Sequence, residues 1–153
     1  MLRSCHLIGI AAVLLLSAHA FAADTTPVGT WKTVDDKTGQ AKSFVEISEQ
    51  NGELTGKVKE VLQSDQGPNP ICKECEGDRK NQPVTGMTIL WGMKKDGDGW
   101  AGGRILDPKN GKEYGCKIKL SDDGQKLEVR GFMGFSLLGR TQVWQREAVP
   151  PTP

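Results

Sequence analysis

Apolar and polar residues alternate along most of the chain, in short stretches that end at turn signals. Between residues 42 and 50, Val45 and Ile47 fall on one face of an extended strand, and Glu46 falls on the other. The pair Asn51-Gly52 follows and favours a two-residue hairpin, because both positions tolerate positive φ. Similar signals recur about every eight to twelve residues, which is typical of an all-β barrel or sandwich.

This pattern predicts eight strands. We place them at residues 29–34, 42–50, 53–62, 88–94, 100–106, 112–120, 126–132 and 138–146. Most of their connections are too short for parallel pairing, which needs long crossovers. We therefore predict an all-β fold, an antiparallel eight-stranded up-and-down β-barrel, since closure removes exposed strand edges. Such a barrel is filled by side chains or holds one small ligand.

The two-residue period also predicts which side chains share a face of each strand. The expected sets are Leu54 with Val58; Ile89, Trp91 and Met93; Tyr114, Cys116, Ile118 and Leu120; and Leu127 with Val129. The stretch at residues 131–138 differs from these strands. It is a tight apolar corner that precedes the last strand.

The first 22 residues have the features of a secretory signal peptide. Arg3 gives a positive start, residues 7–16 are apolar, and Ala20-Phe21-Ala22 matches an A-x-A cleavage site. The apolar run is too short to span a bilayer, and an uncleaved anchor is the competing interpretation. We expect a protein exported to a bacterial periplasm or secreted. It would have one barrel domain at residues 23–147 and a disordered proline-rich tail at 148–153.

Removal of the signal changes both charge and chemistry. The full chain has 20 basic and 19 acidic residues, and loss of Arg3 balances them. A neutral chain has no general attraction for nucleic acid or anionic lipid, so we expect no nucleic-acid partner and no stable membrane insertion. Loss of His6 and His19 excludes Ser-His-Asp and Cys-His mechanisms and removes the commonest zinc ligand. We expect no enzyme, no cofactor and no metal.

Residues 63–86 interrupt the strand pattern and contain Cys72 and Cys75. A long irregular segment in a compact domain is usually functional or disordered. In an oxidising compartment the main prediction is a structural disulfide between these two cysteines. The alternatives are a redox-active dithiol, or a metal site completed by Cys116 and a nearby carboxylate.

Cys116 shares its predicted face with Tyr114 and Ile118, so we expect a buried and inert thiol. It could instead pair with Cys72 or Cys75. Three cysteines allow three single bridges, and the sequence does not choose among them.

Aromatic and charged residues on the predicted strands are candidate ligand contacts. Trp91, Trp100 and Tyr114 offer apolar area with polar handles at the barrel mouth, and Met93 shares the face of Trp91. Their alternative role is ordinary core packing. Arg104 lies four residues after Trp100, so on a regular strand both side chains would point to the same face. If Arg104 points inward it is a buried cation that needs a carboxylate or an anionic ligand, and if outward it is a surface charge.

Segments distributed over most of the chain resemble the bacterial family catalogued as domain of unknown function 2147. They are Gly29-Thr30-Trp31, Asn51-Gly52-Glu53-Leu54-Thr55-Gly56-Lys57, Cys72-Lys73-Glu74-Cys75, Gln82-Pro83-Val84-Thr85-Gly86-Met87, Gly103-Arg104-Ile105-Leu106-Asp107-Pro108, Asn110-Gly111-Lys112-Glu113-Tyr114, and Arg130-Gly131 through to Leu138-Gly139-Arg140-Thr141-Gln142-Val143-Trp144. The resemblance implies an exported protein with a lipocalin-like (calycin) barrel. It implies no activity, because the family's biochemical role is not established.

Gly29-x-Trp31 also resembles the opening motif of lipocalins. In that fold an arginine near the end of the last strand lies across the tryptophan at the closed end of the barrel. We assign this role to Arg140, with Arg146 as the alternative. A guanidinium stacked over an indole ring stabilises the folded protein by roughly 0.5–2 kcal/mol.

Three functions remain open, because the residues form no catalytic constellation. The first is a binding protein that carries a small apolar or amphipathic ligand, with residues 63–86 as a lid. The second is a structural or interaction protein of the envelope, indicated by a filled barrel and an exposed apolar loop. The third is a Cys-x-x-Cys redox protein, which needs an exposed sulfur. We adopt the first as the working hypothesis.

Overall fold

The computed structural model describes residues 25–135 and 137–148, and within this range the chain forms a closed β-barrel. Its strands are β1 (Gly29–Val34), β2 (Ala41–Gln50), β3 (Glu53–Val61), β4 (Thr88–Asp96), β5 (Gly99–Asp107), β6 (Lys112–Leu120), β7 (Lys126–Phe132) and β8 (Gly139–Arg146). Each strand pairs antiparallel with the next, and β8 returns to β1. The predicted eight-stranded up-and-down barrel is confirmed. The predicted signal peptide and residues 149–153 of the predicted tail lie outside the described residues.

The interior of the barrel is filled with side chains. Trp31 and Trp144 are fully buried, and in register they lie opposite Val45 and Leu127 respectively. The other fully buried large side chains include Ile47, Leu54, Leu90 and Met93. These buried side chains occupy the barrel interior, and close-packed interiors of this kind are poorly compressible.

A glycine bulge on β4 changes which side chains face the interior. Across Gly92, which has φ 69°, β4 advances three residues while β3 advances two. Leu90 and Met93 therefore both face the core, whereas Trp91 points outward. The prediction that Ile89, Trp91 and Met93 share one face is wrong, because one extra residue reverses the alternation.

A second bulge lies on β5 at Gly102, which has φ 80°. Here β5 advances three residues while β6 advances two. Trp100 pairs with the inward-facing Ile118, but Arg104 pairs with Gly115 on the outer surface. Trp100 and Arg104 thus lie on opposite faces of the sheet. The prediction that they share a face is wrong, because the bulge adds one residue between them.

The two ends of the barrel differ. One end, called the closed end, carries residues 25–28 and the β2–β3, β4–β5 and β6–β7 turns. The opposite, open end carries the β1–β2 loop, the long β3–β4 connection, the β5–β6 turn and the β7–β8 loop. A turn of 3-10 helix at Gly77–Arg79 lies within the β3–β4 connection.

The seam between β1 and β8 is paired near the closed end. Register there matches Trp31 with Arg146 and Lys32 with Gln145. At the open end, a side-chain ion pair between Arg140 on β8 and Asp36 on the β1–β2 loop spans the same seam.

Candidate functional site

An arginine and a tryptophan close the barrel at the closed end. Trp31 is fully buried, and its Nε1 donates a 2.8 Å hydrogen bond to the carbonyl oxygen of Pro27. The guanidinium carbon of Arg146 lies 4.4 Å from the centroid of the Trp31 ring. The role assigned to Trp31 is therefore confirmed, and the arginine above it is Arg146.

Arg146 also ties the chain together at this end. Its Nε donates to the carbonyl oxygen of Gly124 at 2.6 Å, and its Nη1 and Nη2 donate to those of Val28 and Thr26 at 2.9 and 2.7 Å. These bonds join the β6–β7 turn to the segment that precedes β1. Charged donors to backbone acceptors are among the stronger protein hydrogen bonds.

The assignment of this role to Arg140 is wrong. Arg140 lies six residues before Arg146 along β8, which places it about 20 Å away, near the open end. Its side chain is 64% exposed and donates from Nε to Asp36 Oδ2 at 2.7 Å. Spacing from the tryptophan motif could not separate the two arginines, because only strand register decides which of them meets Trp31.

The five predicted ligand contacts do not converge on one pocket. Met93 is fully buried in the core, where a Cβ on Gly103 would approach its sulfur. Trp100 is partly buried near the closed end, with Lys95 Nζ 3.8 Å from its ring centroid. Its predicted place at the mouth is therefore wrong. Tyr114 begins the inward face of β6 at the open end.

Trp91 and Arg104 belong to a cluster on the outside of the barrel. The guanidinium of Arg79 stacks 4.6 Å from the centroid of Trp91, so Trp91 does not line the mouth as predicted. Arg79 and Arg104 both approach the carboxylate of Glu113, at 2.5 and 3.8 Å. The partner of Arg104 is thus a surface carboxylate, and exposed pairs of this kind contribute at most about 1 kcal/mol.

The β3–β4 connection packs beside the barrel rather than over its mouth. Gly111 in the β5–β6 turn presses against this connection, since a Cβ there would lie 1.9 Å from the carbonyl oxygen of Glu74. The Sγ of Cys72 lies 3.3 Å from the carbonyl oxygen of Pro108 in the same turn. Arg79 from this connection reaches Trp91 on the outer face of β4. The lid predicted for residues 63–86 is therefore wrong, and the connection forms a side wall.

The predicted disulfide between Cys72 and Cys75 is confirmed, with an S–S distance of 2.00 Å. Both cysteines are almost completely buried. Thiol–disulfide exchange requires access to a sulfur atom, so this environment suits a structural clip and opposes a redox role.

Cys116 is a free cysteine in the barrel interior, as the sequence predicts. Burial raises the pKa of its thiol to about 12, because the thiolate would lose its solvation there. A thiol with so high a pKa is a poor nucleophile at neutral pH.

We expect the burial of Cys116 to make stability depend on pH. Its pKa is raised above the ordinary value of 9.0, so its contribution is complete below pH 9 and is lost as the pH rises toward 12. The loss should approach about 1.4 kcal/mol per pH unit. Urea unfolding of the wild type and of Cys116→Ala, at pH 8 to 10.5, isolates this titration as the difference between them. A difference that stays constant with pH would contradict it.

The β7–β8 loop presents apolar side chains to solvent at the open end. We call Met133, Phe135, Leu137 and Leu138 the apolar loop, and they are 59%, 80%, 88% and 71% exposed. The sequence indicated an apolar corner here, but not its exposure. Gly131, Gly134 and Gly139 interrupt this apolar stretch, and glycines at such spacing are a sequence signal for a projecting turn.

The surface also carries two shallow depressions. One, of about 410 Å³, is lined by residues of the side wall that include Arg79 and Met87, and by Thr88 at the start of β4. The other, of about 310 Å³, lies by the β6–β7 turn at the closed end. Both are outside the barrel, and neither gathers the predicted ligand residues.

The described residues contain neither a metal-binding cluster nor a membrane-spanning helix. Across residues 25–135 and 137–148, no three or more His, Cys, Asp or Glu side chains are placed to hold a metal ion. Within the same ranges, no helix has the length and apolarity needed to cross a bilayer.

Comparisons with known proteins agree with this architecture. A family model described as "Uncharacterized protein conserved in bacteria", domain of unknown function 2147, matches residues 29–146. The chain is similar to a solved structure described as protein HP1028 from Helicobacter pylori, which belongs to the lipocalin family. The TM-score is 0.69 at 21% identity, and the match covers 83% of this chain and 85% of the other. No curated protein matches.

Proposed function

The chain belongs to the bacterial family of domain of unknown function 2147, and we propose that it is a non-enzymatic interaction protein of the cell envelope. In this proposal the barrel is a rigid scaffold, and the apolar loop at its open end is the contact surface. The proposal takes up the second of the functions left open by the sequence.

The exposure of the apolar loop is the observation that carries this proposal. Four large apolar side chains project together from one hairpin, although the barrel interior is packed with others of the same kind. Exposed apolar groups clustered in this way mark sites of interaction in soluble proteins. Leaving them in water costs free energy that a partner's surface would recover.

We propose that the protein acts outside the cytoplasm, in the periplasm or after secretion. The Cys72–Cys75 disulfide supports this location, since structural disulfides persist in oxidising compartments. The sequence at residues 1–22 supports it independently through its signal-peptide features.

We expect the apolar loop to determine where the protein resides in its own host. Replacing two of its side chains, Phe135→Ser with Leu137→Ser, should shift the protein from the envelope fraction to the soluble fraction by tenfold or more. Each buried side chain of this size contributes about 1.5–3 kcal/mol. The measurement is quantitative immunoblotting of fractionated cells.

A matched control has two exposed apolar residues replaced elsewhere, Leu62→Ser with Val143→Ser, which are 39% and 40% exposed. This variant should fractionate like the wild type. Equal fractionation of all three proteins would reject the apolar loop as the contact surface.

The carrier of a small hydrophobic or amphipathic ligand is the second candidate. The observation that favours it is the fold shared with a lipocalin-family structure, together with two hydroxyl groups inside the barrel near its open end. Near the open end, the hydroxyls of Thr33 and Ser43 form a 2.8 Å hydrogen bond on the inner side of β1 and β2. Native mass spectrometry of protein purified from its host tests this candidate through a retained mass that denaturation releases.

A further inference from the structure

The apolar loop has a chemical boundary on each side. From Gly131 to Gly139 the sequence contains no charged residue, while Arg130 precedes this stretch and Arg140 follows it. Both arginines lie at the strand ends from which the loop projects. Apolar tips between cationic residues match the layering of a lipid surface, where acyl chains lie beneath phosphate groups.

Resting on the interaction role proposed above, we propose that the partner is a phospholipid surface. The apolar loop inserts shallowly and reversibly among the acyl chains, and Arg130 and Arg140 lie at the level of the phosphates. No strand enters the bilayer. This contact is compatible with the expectation of no stable membrane insertion.

The shape of the loop favours a fluid partner. Its four apolar side chains project from a hairpin and are each more than half exposed, so they form a convex tip rather than a groove. A protein partner would need a concave pocket shaped for this tip. Acyl chains rearrange around an inserted group and need no such complementarity.

Several backbone groups of the loop have hydrogen-bond partners within the protein, which favours a medium of low polarity. The Met133 amide donates to the carbonyl oxygen of Leu138 at 3.2 Å, and the Leu138 amide donates to that of Phe135 at 3.0 Å. Arg130 Nη2 donates to the carbonyl oxygen of Leu137 at 3.2 Å. Backbone groups without partners make insertion into lipid costly, and these groups have partners within the protein.

The arginines supply the headgroup contact. Arg140 uses Nε and Nη2 to bind Asp36, and a guanidinium has five N–H donors, so donors on its Nη1 side remain for a phosphate oxygen. Arg130 is held by Thr141 at 3.1 Å as well as by Leu137. Acidic Asp36 lies nearby, so we expect insertion to provide most of the affinity and lipid charge to adjust it.

Purified mature protein mixed with lipid vesicles tests this inference. The wild type should co-sediment with vesicles of phosphatidylcholine, and more strongly with vesicles that also contain phosphatidylglycerol. Phe135→Ser with Leu137→Ser should weaken binding to both by tenfold or more. The Leu62→Ser, Val143→Ser control should bind like the wild type, and Arg140→Gln should lose mainly the phosphatidylglycerol enhancement.

An environment-sensitive dye reports insertion directly. Attached at Leu137→Cys, it should shift its emission to the blue when vesicles are added, because it enters the acyl region. Attached at Asp122→Cys in the closed-end turn, it should not shift. The buried Cys116 thiol is protected from labelling in the native protein.

The outcomes separate this inference from the proposed function. Vesicle binding that is absent, or equal in the loop variant, overturns the lipid inference. If cell fractionation still depends on the loop in that case, the partner is a protein and the interaction role stands. If fractionation and vesicle binding both ignore the loop, both proposals are wrong.

Discussion

Replacing Arg146 with methionine is expected to lower the free energy of unfolding by about 3 kcal/mol. The variant keeps most of the side-chain volume over Trp31 but loses the cation–π contact at 4.4 Å. It also leaves three carbonyl oxygens, those of Gly124, Val28 and Thr26, without their charged donor. Urea denaturation followed by tryptophan fluorescence measures the change.

The matched variant is Arg140→Met on the same strand. Its ion pair with Asp36 is exposed at the open end, so its removal should cost less than about 1 kcal/mol. Together the two variants show which arginine stabilises the closed end of the barrel. A loss for Arg140→Met as large as that for Arg146→Met would show that the closed end is not held as the structure has it.

Gly111→Ala is expected to lower the free energy of unfolding by about 3 kcal/mol. It should also loosen the contact between the side wall and the β5–β6 turn. The residue has φ 69°, where an alanine is disfavoured by roughly 1–2 kcal/mol. Its new methyl group would also fall 1.9 Å from the carbonyl oxygen of Glu74 and 2.7 Å from the amide nitrogen of Cys75. The backbone of the disulfide segment must therefore move. Equilibrium unfolding measures the stability change.

Reduction of the disulfide by dithiothreitol under native conditions reports the release of the side wall. In the wild type the buried sulfurs should react slowly, and in Gly111→Ala they should react faster. Gly52→Ala is the control, because Gly52 also has positive φ, at 77°, but faces open space. It should cost about 1 kcal/mol and leave the reduction rate unchanged. Identical behaviour of the two variants would mean that Gly111 does not anchor the segment.

These two anchors explain how the barrel can serve as a scaffold. Arg146 secures the closed end, and Gly111 secures the side wall against the β5–β6 turn. The apolar loop lies at neither anchor. Substitutions in it should therefore change binding with little effect on folding, which makes the tests of the two proposals interpretable.

The strands and their antiparallel order followed from local chemistry. Alternating residues such as Val45 and Ile47, and turn formers such as Asn51-Gly52, act over a few residues and keep their preference in any context. All eight strands accordingly lie within two residues of their predicted positions. The pairing of Cys72 with Cys75 and the burial of Cys116 also agree with the predictions.

The tertiary structure determined which face of the sheet the side chains around each bulge occupy. Gly92 and Gly102 each add one residue to a strand, and a single added residue reverses every later side chain. Glycine in a strand announces a possible bulge, but only the partner strand shows whether one forms. For this reason Trp91 and Arg104 lie outside the barrel, and the candidate ligand site did not assemble.

Long-range register also selected Arg146 over Arg140 and placed the β3–β4 connection against the barrel wall. Each of these contacts joins residues far apart in the chain, so no local spacing encodes it. The exposure of the apolar loop has the same origin. The apolar composition of residues 131–139 is visible in the sequence. Their exposure depends on the folded barrel, because other side chains already occupy its interior.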